Sequence, residues 1–187
     1  MKKILVTGSN GFFGYNCVQY FHKQGDEICA VGRSRKDGQK IDLEENLHQL
    51  GRQQFNVVLH FAGGSSVAAS IRNPEEERAK TISSLNFVLQ FMLGQAPEAT
   101  LIYPSSAAVY GNNHDGKIKE TDKLDPISPY GFHKVEAEDL CFEYHRKYGL
   151  NIQIIRFFSV YGEYLRKQVV FDICKNILNN EKFVCFG

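Results

Sequence analysis

Tyr130 and Lys134, in the run Tyr130-Gly131-Phe132-His133-Lys134, are spaced to stand one turn apart on a single face of a helix. An ammonium at that distance lowers the pKa of a phenol, so that the phenol exchanges protons near neutral pH. The same spacing arises by chance in many helices, and its meaning depends on its company. Upstream lie Ser105-Ser106 and a glycine-rich opening, Thr7-Gly8-Ser9-Asn10-Gly11-Phe12-Phe13-Gly14. Together these point to dinucleotide redox chemistry.

The glycine run sits where an apolar strand hands over to a helical pattern, the context a phosphate-binding loop requires. Gly8 permits the tight turn, Gly11 lets the backbone approach a pyrophosphate, and Gly14 lets the helix pack closely on the sheet. The helix N-terminus then offers free N–H groups and a partial positive charge. The spacing is GxxGxxG rather than GxGxxG. After the second strand an acidic side chain would accept a bond from a ribose 2′-hydroxyl; this chain has Gly32-Arg33-Ser34-Arg35-Lys36 instead. A guanidinium beside a hydroxyl suits a 2′-phosphate, so the cofactor is read as NAD(P), leaning to NADP. Asp42 and Leu43 are read as contacts to the adenine base.

These groups need a scaffold. Apolar runs at Lys3 to Val6, Glu27 to Val31, Phe55 to Phe61, Thr100 to Tyr103 and Asn151 to Phe158 read as buried strands. Helical patterns fall between them at Gly14 to Gln24, at Pro74 to Leu93 behind Glu75-Glu76-Glu77, and at Pro129 to Tyr148 before Gly149. The alternation implies an α/β fold with a doubly wound, Rossmann-like parallel sheet. Residues 112–126 are polar and turn-rich and read as a loop near the ligand cleft.

The 187 residues carry a formal net charge of +1 and 43% hydrophobic side chains, enough for one well-buried domain and the start of a second. That balance gives no electrostatic case for nucleic acid or an acidic membrane, and no apolar run approaches the roughly 20 residues of a bilayer span. The five cysteines (Cys17, Cys29, Cys141, Cys174, Cys185) are scattered, without CxxC or metal-finger spacing. They read as free thiols in a reducing cytoplasm, and no metal site is expected.

At this point the motifs resemble those of a known group: the extended short-chain dehydrogenase/reductases, specifically the nucleotide-sugar epimerase/dehydratase family. TGSNGFFG resembles its TGxxGxxG loop. His60-Phe61-Ala62-Gly63 through Val67, Ser70 and Pro74 is similar to the HFAGxxxVxxSxxxP stretch of UDP-galactose 4-epimerases. Ser105 to Gly111 resembles SSxxVYG, Pro126 to Lys134 resembles PxSPYGxxK, and Arg156 to Gly162 is similar to RxFNVYG. The resemblance implies that Tyr130 is the acid/base at a sugar C4 hydroxyl and that Lys134 lowers its pKa and binds the nicotinamide ribose. It implies that Ser106, rather than Ser105, bonds the reacting oxygen. It places the cofactor against Gly8, Asn10, Gly11, Phe12, Phe13, Gly14, Phe61, Ala62, Gly63, Ser105, Phe157 and Ser159. The protein's part would be orientation and electrostatics around a hydride exchange.

The departures from the family pattern narrow this. Dehydratases carry an Asp-Glu pair directly after the catalytic hydroxyl residue, where this chain has Ala107 and Ala108, which argues for a 4-epimerase or 4-keto-reductase. Lys80 to Ser84 offers no Asn where the family usually has one, and Ser159 stands in place of another. Family members run to roughly 300 residues or more, with a second lobe for the sugar nucleotide. The chain is therefore read as an amino-terminal part: residues 1–165 a cofactor domain carrying the catalytic residues, 166–187 the start of a substrate lobe. The alternative is a non-catalytic NAD(P)-binding module. His60 reads as a satisfied core histidine, and His133, off the face of Lys134, as structural. Arg166-Lys167 reads either as a diphosphate contact or as a solvated pair. Val135, Leu140 and Tyr144 read as an outward apolar set, either the seam of a homodimer or simple packing.

Overall fold

The computed structural model describes residues 1–32, 35–36, 39–40, 43–64, 66–112 and 116–182. They form two compact units, Met1–Phe157 and Phe158–Gly187.

The first unit is built on five parallel strands. In chain order they are β1 (Lys3–Thr7), β2 (Glu27–Val31), β5 (Val57–His60), β6 (Thr100–Ser106) and β7 (Asn151–Phe157), and in space they run β2-β1-β5-β6-β7. Two-residue strands β3 (Arg35–Lys36) and β4 (Gln39–Lys40) pair antiparallel outside that sheet. The helices are α1 (Phe12–Lys23), α2 (Leu43–Leu50), α3 (Val67–Arg72), α4 (Pro74–Arg78), α5 (Ser84–Gln95) and α6 (Pro129–Tyr148). A strand with helices on both faces must be apolar on both, and β1 shows why its run is unbroken. Leu5 enters a cluster with Val58, Leu101, Tyr103, Leu85, Leu89, Met92, Ala137 and Cys141. Ile4 and Val6 enter a second cluster, where Leu59 meets Cys17, Val18 and Phe21 of α1.

The order reverses at β1: the chain crosses from β1 through α1 to β2 on one side, then returns to β5 on the other. Open α/β sheets bind ligands at the carboxyl ends of the strands flanking such a switch point. Here those ends are Thr7 and His60, which are register partners. The doubly wound reading is therefore observed.

Helix α6 occupies the expected residues. Ser128 caps it by accepting from the Gly131 N–H at 3.1 Å, Pro129 opens it, and Gly149 closes it at φ 73°. The helix expected over Pro74 to Leu93 is instead interrupted by a π-turn at Ala79–Ser83 between α4 and α5. Ser84 Oγ donates to the Lys80 carbonyl at 2.6 Å, the kind of hydroxyl-to-backbone bond that competes with a regular helix. Leu140 and Tyr144 do not face outward: both pack on the core, and Tyr144 Oη donates to Asn86 Oδ1 at 2.9 Å. Packing accounts for them; the apolar side chains that α6 exposes are Phe132, Phe142 and Tyr148.

The second unit contains α7 (Val169–Leu178). A turn precedes it, in which the Leu165 N–H donates to the Gly162 carbonyl at 3.3 Å. Cys17, Cys29, Cys141 and Cys174 are free thiols. Among the described residues no helix is long and apolar enough to cross a membrane.

Candidate functional site

The loop from β1 to α1 is shaped by backbone contact. Gly8 has φ +67°, and a Cβ there would lie 2.5 Å from the Ala62 nitrogen and from the Phe61 carbonyl carbon. Only glycine lets the loop after β1 lie against the segment after β5. A Cβ on Gly14 would sit 2.2 Å from the Gly8 carbonyl oxygen, so the close approach expected between helix and sheet is made to the loop's own backbone. Gly11 caps α1 without a side-chain bond, and the first turn contains no acidic residue. Its N–H groups and dipole remain suited to an anion. Asn10 folds against Gly32 at the end of β2. Phe13 packs its ring against Phe61 and Phe157, with centroids 5.6 and 4.9 Å apart, and Phe12 lies 5.4 Å from Phe13. Thr7 Oγ1 bonds His60 Nδ1 at 2.8 Å and accepts from the Ala62 N–H at 3.4 Å. His60 is the satisfied core histidine expected, and burial first, then Lys134, pushes its pKa down to about 3.

The other side of the cleft is assembled by side chains. Ser106 ends β6 and caps the short 3₁₀ turn Ala107–Val109, accepting from the Ala108 N–H at 3.2 Å. The start of α6 lies against that turn: a Cβ on Gly131 would come within 2.6 Å of the Ala108 carbonyl oxygen. The start of α6 thereby carries Tyr130 to the side of the turn that Ser106 opens, near enough for the Ser106 hydroxyl to lower the Tyr130 pKa. The Tyr130 N–H donates to Ser70 Oγ at 3.0 Å, which ties α6 to α3. Ser105 points the other way, its hydroxyl donating to buried Glu138.

Lys134 is buried and donates to the Pro104 carbonyl at 2.9 Å and Tyr103 Oη at 3.2 Å, with its ammonium 5.7 Å from the Tyr130 ring centroid. Burial lowers its pKa to about 8, opposed by Glu77 and Glu138. The expected lowering of the Tyr130 phenol by this ammonium is not observed. Burial raises the phenol, the Ser106 hydroxyl pulls it back in part, and Glu77 raises it further. The spacing does put Lys134 near Tyr130, but burial outweighs what the isolated pair would do.

Two buried carboxylates flank this group, and sequence reasoning missed both. Glu138, one turn beyond Lys134, takes Arg156 Nη2 at 2.7 Å and Nε at 3.0 and 3.2 Å. Arg156 Nη1 also donates to Tyr110 Oη at 2.7 Å and the Glu120 carbonyl at 3.0 Å, fastening the loop before α6. Glu77 accepts from Thr81 Oγ1 at 2.8 Å and pairs with His133 Nδ1. The triplet Glu75-Glu76-Glu77 had signalled only a helix start, and His133 only a different helix face.

Of the cofactor contacts expected from sequence, Gly8, Gly11, Gly14, Phe61, Ala62 and Gly63 meet at the switch point. Leu43 opens α2 and packs on the core. Arg33 and Asp42 lie outside the described residues, and Ser159 belongs to the second unit. No group of three or more His, Cys, Asp or Glu among the described residues could hold a metal ion.

A family model, the NAD dependent epimerase/dehydratase family, matches residues 4–187. Among curated relatives, UDP-glucuronate 4-epimerase 6 of Arabidopsis thaliana is 29% identical over 202 residues, covering 95% of this chain and 44% of the relative. Among solved structures, a UDP-glucose 4-epimerase with UDP-glucose from Thermotoga maritima is 28% identical with a TM-score of 0.85, covering 99% of this chain and 66% of that one. A UDP-glucuronic acid 4-epimerase from Bacillus cereus, in complex with UDP-glucuronic acid and NAD, is 25% identical with a TM-score of 0.79, covering 96% and 64%. The chain thus spans about half to two thirds of the length of the proteins it matches.

Proposed function

Because the chain belongs to the NAD dependent epimerase/dehydratase family, we propose that it carries the cofactor and acid/base machinery of a nucleotide-sugar 4-epimerase or 4-keto-reductase. The observation behind this is the convergence of Ser106, Tyr130 and Lys134 beside the glycine loop at the switch point. The residues present fit a dinucleotide. Gly8 and Gly14 let the loop pack backbone on backbone at the start of α1, the α1 N-terminus is free of acid, and Lys134 presents a buried cation one turn from Tyr130. When bound, NAD(P) would accept a hydride from sugar C4 and return it.

The chain's own residues would do the rest. Gly8, Asn10, Gly11, Phe12, Phe13 and Gly14 receive the pyrophosphate side, and Phe61, Ala62, Gly63 and Phe157 run beneath the cofactor. Tyr130 takes the C4 hydroxyl proton as the hydride leaves and gives it back as the hydride returns. Ser106 fixes the reacting oxygen between itself and Tyr130. Lys134 orients the ribose, and its charge favours the phenolate once the cofactor and sugar have closed the site. Ala107 and Ala108 supply no carboxylate to expel water, which supports epimerisation or reduction over 4,6-dehydration. Residues 1–165 are read as the cofactor domain and 166–187 as the beginning of the substrate side. A cytoplasmic protein and a homodimer belong to the same reading, with any seam on α6 using Phe132 and Phe142.

Assay on a panel of UDP- and dTDP-sugars, with Tyr130→Phe beside the parent, tests this. A loss of about 10²–10⁴-fold in kcat is expected, and undiminished turnover would sink the assignment. Tight NAD(P)H binding without turnover of any sugar nucleotide would support the non-catalytic module instead. The lean to NADP rests on Arg33 and Ser34. Separate titrations should show tighter NADP, and equal or stronger NAD binding refutes the role given to Arg33.

A further inference from the structure

The first turn of a helix has backbone N–H groups that find no partner inside the helix, and in α6 each is accounted for. Pro129 has none to satisfy. The Gly131 N–H donates to Ser128 Oγ at 3.1 Å, and the Phe132 N–H to the Ser128 carbonyl at 3.0 Å. The Tyr130 N–H is taken by a side chain from a different helix, Ser70 Oγ of α3, at 3.0 Å. Ser70 is fully buried. Its own proton goes to the Val67 carbonyl at 2.7 Å, which fixes the hydroxyl and leaves a lone pair for α6. Ser66 caps α3 by accepting from the Ala69 N–H at 3.2 Å, so the helix that carries Ser70 is anchored directly after the loop of Phe61, Ala62 and Gly63. The same turn of α6 lies on the Ala108 carbonyl through Gly131. It is therefore held by two elements outside its own helix.

We propose that Ser70 is a positioning residue for Tyr130: by holding the Tyr130 N–H it sets the rotation of the first turn of α6, and so where the phenol stands relative to Ser106. The proposal rests on the acid/base role given to Tyr130 above. The phenol oxygen lies at the far end of a long side chain whose fixed point is the backbone, so a small rotation of the turn is magnified at the reacting atom. A misplacement of about 1 Å there is enough to cost about 10²-fold in rate. Ser128 cannot supply this control, because its bonds stay within the turn and move with it. Ser70 belongs to another helix, and its buried oxygen has no room to follow. Loss of that oxygen leaves the Tyr130 N–H without its acceptor and frees the turn to rotate toward another.

The test uses the intact chain labelled at the tyrosine amide nitrogen and Cζ and read by NMR, with Tyr130 identified by the resonances missing from Tyr130→Phe. In Ser70→Ala the Tyr130 amide should exchange about fivefold faster or more, and its Cζ resonance should move. Ser70→Thr and Ser70→Val share one shape and differ by a hydroxyl: Thr should keep both signals near the parent, and Val should behave as Ala. Equal effects of Thr and Val would make Ser70 a space-filler and overturn the proposal. Where their added methyl is not accommodated, Ser70→Cys replaces the pair, since it keeps the shape of serine with only a weak acceptor. Cys should behave as Ala, and parent-like signals overturn the proposal. In turnover, Ser70→Ala should lower kcat about 10–10²-fold with KM near the parent, and should lower it no further when added to Tyr130→Phe. Undiminished kcat in Ser70→Ala beside an inactive Tyr130→Phe overturns the positioning role, as does an equal loss in both backgrounds. Should Tyr130→Phe keep full activity, or the chain turn over no sugar nucleotide, the functional reading fails, and the exchange and Cζ comparison alone decides whether Ser70 places Tyr130.

Discussion

The two sides of the cleft are built on opposite principles. Around Gly8 the chain is shaped by backbone approach, with loop lying on loop at distances no side chain tolerates. Around Lys134 it is shaped by buried charge, with Glu138, Arg156, Glu77 and His133 packed between α6, α4 and β7. Backbone geometry is indifferent to pH and intolerant of added atoms. A buried charge cluster tolerates small changes of volume but not the loss of a partner. A dinucleotide read mainly by shape suits the first construction, and a proton moved between phenol and sugar suits the second.

The largest effect should come from the charged side. Arg156→Met strands Glu138 in the interior and should cost about 3–5 kcal/mol in denaturant unfolding. A cost within experimental error would mean the α6 side is not held by charge at all. On the backbone side, Gly8→Ala combines a positive φ with a contact of 2.5 Å and should cost about 2–4 kcal/mol. That cost should be the same at pH 6 and pH 9, and a strong pH dependence would erase the contrast.

His60 lies between the two regions and sharpens the boundary. Its pKa in the folded chain is about 3 against 6.5 when unfolded, so the unfolded chain binds the extra proton in that interval. Stability is full above pH 6.5 and is lost as pH falls towards 3. Between pH 6.5 and 4.5 the loss from this residue should be about 2–3 kcal/mol, measured as the difference between the parent and His60→Gln. Parallel acid curves for the two would contradict it. The smallest effect belongs to the cap of α6. Ser128→Ala removes the bond to the Gly131 N–H and should cost about 1 kcal/mol in thermal or denaturant melts, while leaving Lys134 Cε titrating as in the parent.

Much of this was legible from the chain alone where the signal was local. The residues of β2 and α6 were read correctly, because four apolar residues before a glycine and a Ser-Pro start with a glycine stop are complete local statements. Helix α2, by contrast, was not read at all, although Leu43, Leu47 and Leu50 share a helical stripe that packs on the core. The π-turn was missed because the deciding bond, from Ser84 to the Lys80 carbonyl, competes with a helix that the pattern otherwise favours. Leu140 and Tyr144 were left open between a dimer seam and simple packing, and packing holds, since a helix with core on one side and neighbouring helices on another has no single apolar face.

The sequence by itself determined the five strands of the main sheet, helices α1 and α6, the glycine loop, and the presence of Ser106 at the end of β6 and of Tyr130 and Lys134 in the first turns of α6. Those features depend on neighbours within a turn or a strand. Only the tertiary structure decided the charge state around them. His133 meets Glu77 across 56 residues and Arg156 meets Glu138 across 18, and burial then turns a lysine expected to lower a phenol's pKa into one whose own pKa is lowered. Desolvation and long-range pairing belong to the packed interior, and no spacing along the chain encodes how much water a side chain has lost.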